Sequence, residues 1–174
     1  CEIINSRNTK IKPCLDCVMN KKLIAPEFGL KTINLSEIVP TEKVKDLRLL
    51  AKSIVSNYPS KYEHCGVEII NIVNDSIVRY FYGAVPDSAS QEMKQAQENY
   101  LVSALISCEA SQKINEIWQP DIIFNNMEAY ADWAPYFLFF RRLGVKCSTM
   151  SITQFNYHAV TLNQSDLFIS NNRF

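Results

Sequence analysis

Apolar residues recur along this chain at helical spacing in some stretches and in unbroken runs in others, and the change between the two marks out its elements. Val44, Leu47, Ala51, Ile54 and Val55 fall three or four apart, which predicts a helix opening at Pro40-Thr41 and running to about Ser56. Thr41 is placed to cap that helix, and Asn57-Tyr58-Pro59 to end it. Val67 to Val73 reads as an extended, strand-like run, and Ser76 to Tyr82 as a second apolar and aromatic run compatible with strand or helix. Gly83 to Asp87 is a turn or loop. Ser88 or Ser90 then caps the longest helix, which reaches about Trp118 and buries Leu101, Ala104, Leu105 and Cys108.

After Gln119-Pro120 comes a strand over 121–125, whose apolar centre lacks alternation and so predicts a parallel strand covered on both faces. Asp132 is a candidate cap for the next helix, with Pro135 tolerated in its first turn and Trp133, Phe137, Phe140 and Leu143 supplying bulk. Arg141 and Arg142 suit its C-terminal dipole and Gly144 stops it. Val145 to Met150 is a strand, and Asp166 to Ser170 a last one. Helix, strand, helix, strand with short connections implies parallel pairing, hence an α/β domain with a Rossmann-like parallel sheet flanked by helices. One domain over 1–174 is expected, with an irregular cysteine-bearing segment over 1–35 and the α/β body over 36–174.

Composition narrows the function classes. Lys plus Arg and Asp plus Glu number 18 each, so the zero net charge gives no general pull toward nucleic acid or an anionic membrane. No run of apolar residues is long enough for a membrane span, and no signal peptide is read. The start at Cys1, without Met, reads as a fragment or a processed form. Among six cysteines, Cys108 and Cys147 sit in apolar patterns as small hydrophobes. A reducing, cytoplasmic setting is the expectation.

Four places in the sequence carry candidate chemistry. Cys14 and Cys17 form a C-x-x-C turn, to which Cys1 could add a third metal ligand and His64 or Cys65 a fourth; a structural zinc, a redox pair and packed thiols are all open readings. Asn125, Asn126 and Glu128 stand where the 121–125 strand stops, the place where open α/β sheets bind ligands. The amides suit a polyhydroxy or nucleotide ligand, and Glu128 is a candidate general base. Tyr157 and His158 follow the next strand and would lie near the same sheet edge, with His158 a second candidate base. Arg79, inside an aromatic run, could hold a carboxylate or phosphate, or pair with an acid. No G-x-G-x-x-G, P-loop, H-E-x-x-H or G-x-S-x-G is present, and with four glycines in all the chain has no glycine loop to cradle a phosphate.

Three motifs together resemble the N-terminal half of two-domain (GT-B) glycosyltransferases of the capsular and surface polysaccharide biosynthesis kind. They are Cys1 with Cys14-x-x-Cys17; Ser76 to Tyr80 followed by a long helix with Asn99-Tyr100-Leu101; and Pro120 to Asn126 with the Arg142 to Val145 helix exit. The resemblance implies a bacterial or archaeal enzyme half that binds a glycan acceptor, and the strand-end reading then expects the acceptor contacts from Asn125, Asn126, Arg79 and Tyr157. The nucleotide-sugar donor would be held mainly by a C-terminal domain or partner subunit, so the isolated chain is expected to be inactive. The competing reading is a non-catalytic metal- or ligand-binding α/β module with a structural cysteine site.

Overall fold

The 3.6-residue spacing of Leu47, Ala51 and Ile54 is realised in the computed structural model, which describes Leu23, 26–125, 129–153 and 156–162, with backbone alone from 150 onward. The chain divides into two compact units, Cys1–Asn34 and Leu35–Phe174. In the first, the described residues include a turn closed by the Gly29 N–H on the Pro26 carbonyl at 3.1 Å, with Gly29 at φ 62°.

The second unit opens with a short helix, α1 (Leu35–Ile38), and then α2 (Thr41–Ser56), which buries Leu47, Ala51 and Ile54. Pro40, and not Thr41, occupies its N-cap. A hairpin of two-residue strands follows, β1 (Glu63–His64) antiparallel to β2 (Val67–Glu68), with His64 opposite Val67. Helix α3 (Ile70–Tyr80) comes next; the extended reading of Val67 to Val73 holds for β2 and is corrected from Ile70 onward, and the Ser76 to Tyr82 run, open between strand and helix, is helical to Tyr80. Ile69, Ile70, Val73 and Ile77 are all buried, so the β-branched run follows the helical period once packing decides between the two. The Glu68 carboxylate accepts the Ile70 N–H at 2.8 Å and satisfies one donor of the first turn. At the far end Tyr82 (φ 51°) and Gly83 (φ 83°) turn the chain, with the Gly83 N–H on the Val78 carbonyl at 2.9 Å.

Helix α4 (Gln91–Trp118) is capped by Ser90, whose hydroxyl accepts the Met93 N–H at 3.1 Å, and it ends on Gln119 in the left-handed region. It packs against α2, α3 and the later helix α5 (Ala134–Arg142). Leu101, Leu105, Phe137 and Phe140 are among the largest fully buried side chains, each contributing about 1.5–3 kcal/mol of transfer free energy.

Strand β3 (Ile122–Asn125) runs parallel to β4 (Lys146–Thr153), with Ile122 opposite Lys146 and Asn125 opposite Thr149, and α5 forms the crossover. The predicted cover on both faces of β3 is not found. Ile123 and Asn125 are buried, while Ile122 and Phe124 are 59% and 57% exposed, so the strand alternates. Asp132 does not cap α5. Trp133 takes that position, and the Tyr130 carbonyl accepts the Trp133 and Ala134 N–H groups instead.

β4 then turns into β5 (Asn156–Leu162), an antiparallel partner pairing Cys147 with Leu162 and Thr153 with Asn156. Tyr157 and His158, expected near the sheet edge after the strand, thus stand on a strand themselves. The sheet, ordered β3-β4-β5, holds one parallel pair among the described residues. The architecture is mixed α/β and mostly helical, without the extended parallel sheet expected. No described helix is long and apolar enough to cross a membrane. The strand expected over 166–170 lies outside the described residues.

Candidate functional site

Two places in the second unit gather chemistry. The first grows from α3 and the loop that follows β3. Ser76, buried in α3, accepts the Ala131 N–H at 2.8 Å and donates to the Ile72 carbonyl at 2.8 Å, which holds the strand-end loop against the helix. The neighbouring Tyr130 adopts φ 75°, and the Arg79 guanidinium lies over its ring at 5.2 Å. A groove of about 430 Å³ opens there, lined by Asp75, Val78, Arg79, Tyr82, Gly83 and Tyr130. Tyr82 is 97% exposed at its rim. The acid, the guanidinium and the aromatic faces form a surface able to stack a ring and hydrogen-bond its substituents. Tyr80 packs edge-on against Tyr100 at 6.1 Å, which brings two separated motifs of the sequence together.

The second place is the tip of the β1–β2 hairpin against α4. Cys65 (φ 49°) and Gly66 (φ 75°) make the turn in left-handed backbone, a conformation that favours glycine. Arg142, at the end of α5, donates to the Cys65 carbonyl at 3.2 Å, and a Cβ at position 66 would strike its guanidinium. One ligand atom each from His64, Cys65 and Glu109 lies within 4.8 Å of the others, so this trio could hold a metal ion. His64 Nε2 and Lys43 Nζ each lie 2.9 Å from Glu109 Oε1, and Cys65 Sγ is 3.3 Å from Gln112 Oε1. Burial and then the Glu109 charge push the Cys65 thiol up, with Lys43 and Arg142 opposing.

The predicted site residues divide accordingly. Arg79 lines the groove. Asn125 is buried at the end of β3. Asn126 and Glu128 lie outside the described residues, as do Cys1, Cys14 and Cys17. Tyr157 and His158 stand on β5, opposite Ile152 and Ser151. Cys65 and His64 meet at the hairpin tip. Cys108 and Cys147 are buried, their thiols pushed up to about 12 and about 11 chiefly by burial, as inert core thiols should be. Three contributors went unread in the sequence. Tyr130 belongs to a loop without periodicity. Glu109 and Gln112 sit one turn apart on α4, where polar residues beside an apolar stripe read as a solvated face.

Compared with known proteins, the chain matches no family model, no curated sequence and no solved structure.

Proposed function

We propose that this chain is the acceptor-binding half of a glycosyltransferase that moves a sugar from a nucleotide sugar to a hydroxyl of a surface glycan. The observation that carries the reading is the groove beside Arg79 and Tyr130, placed where the loop after a parallel strand folds back onto α3. Aromatic faces with a flanking guanidinium and carboxylate suit a polyhydroxy ring, whose C–H face stacks while its hydroxyls find charged partners.

In this reading Asn125 and Asn126 add amide contacts to the acceptor at the strand end. Glu128 or His158 accepts the proton of the acceptor hydroxyl as its oxygen attacks the anomeric carbon, and the nucleoside diphosphate leaves with the electron pair of the broken bond. The donor is held by another domain or subunit, in keeping with the missing glycine loop.

The test is binding of the chain to an array of bacterial surface oligosaccharides, with Arg79→Ala and Asn126→Ala as variants. Saturable binding to a subset is expected, weakened about tenfold or more in each variant, with the thermal transition preserved. Absence of any glycan binding, or equal binding by both variants, would overturn the proposal.

A further inference from the structure

We propose that His64, Cys65 and Glu109, completed by Gln112 Oε1, form a zinc site that pins the β1–β2 hairpin to α4. It does not rest on the glycan reading. The donors come from two elements that arrive ready to meet. The hairpin turn supplies an imidazole and a thiol from adjacent residues. The helix supplies a carboxylate and, three residues on, an amide oxygen already 3.3 Å from the sulfur.

The trio lies within 4.8 Å. Tetrahedral zinc with bonds of about 2.0–2.3 Å sets its ligand atoms roughly 3.3–3.8 Å apart, so the cluster needs to contract by about 1 Å. The turn that presents it is fixed from behind by Arg142 on the Cys65 carbonyl, which leaves the two ligand side chains to move and not the backbone.

A mixed nitrogen, sulfur and oxygen set suits a borderline divalent ion of the zinc type over calcium or magnesium, which take oxygen alone. Electrostatics agree. Glu109 opposes a bare thiolate at Cys65, whereas a divalent ion bound between them makes that charge favourable. The place already draws a cation: the Lys43 ammonium lies 2.9 Å from Glu109 Oε1. The Lys43 side chain is 45% exposed, so it can swing into water as the metal enters. Four protein ligands leave no open position, which makes the site structural and not catalytic.

The test uses cobalt as a spectroscopic stand-in for zinc, on the chain with Cys1, Cys14 and Cys17 changed to Ser so that no other cysteine pair competes. One equivalent of cobalt is expected to give a thiolate-to-cobalt absorption band, bleached by added zinc. The band should vanish in Cys65→Ser, and cobalt affinity should fall about tenfold or more in Glu109→Gln. No band on this background, or a band that survives Cys65→Ser, would overturn the proposal. A second reading uses the same background: there Lys43→Met should tighten cobalt binding by removing the competing ammonium. Unchanged affinity there would overturn it equally.

Discussion

Glu109 is held by two hydrogen-bonding partners, Lys43 from α2 and His64 from the hairpin, both at 2.9 Å. Burial pushes its carboxyl upward, but the hydrogen bonds and charges of Lys43 and His64 together outweigh that and hold it below the ordinary carboxylate range. A carboxyl depressed on folding adds stability above its unfolded value, about 4.3, and loses it as pH falls through the lower folded value. Acidification from about pH 5 downward should therefore erode the urea midpoint more steeply in the native chain than in Glu109→Gln. Parallel pH profiles for the two would show that Glu109 contributes nothing to acid stability. At this scale the sequence is half legible. Cys65 and His64 were candidates because sulfur and imidazole are rare and chemically distinctive. Glu109 was not, because its link to His64 spans 45 residues and leaves no trace in local spacing.

Among the elements, α2, α4 and α5 could be read from apolar spacing and from punctuation such as Ser90 and Gly144. Others could not, α1 and β1 among them. The run Ile69 to Val78 favours strand by side-chain type, and only burial on several sides makes it α3. The β5 strand follows so closely on β4 that Tyr157 and His158 read only as residues near the edge where β4 stops. Ser76 shows what holds these elements in register. It is 2% exposed and serves as donor and acceptor at once, joining α3 to the loop after β3. Ser76→Ala leaves the buried Ala131 N–H without its acceptor and should cost about 1–3 kcal/mol. The check is a urea midpoint that falls at constant m-value. A shift within error would mean that the loop finds another acceptor. The same variant should loosen the Arg79–Tyr130 groove, since the loop bearing Tyr130 is fastened there.

For the unit from Leu35 onward, the α/β character and the β3–α5–β4 parallel crossover were legible, because short helix–strand connections leave few alternatives. The broad parallel sheet was not realised among the described residues, because the chain continues from β4 into an antiparallel partner. The Arg142–Cys65 contact joins residues 77 apart in sequence, far more than the three or four that separate contacts within a helix. Closing so long a loop is an entropic cost met before the contact rewards it. The hairpin tip is therefore expected to acquire its final shape after α4 and α5 have docked, late in the folding reaction. Zinc held there, as proposed, would act as a lock and not as a seed. It should slow the unfolding limb of the chevron and leave the refolding limb where it was, and an ion that accelerated refolding would show the tip to be part of the nucleus.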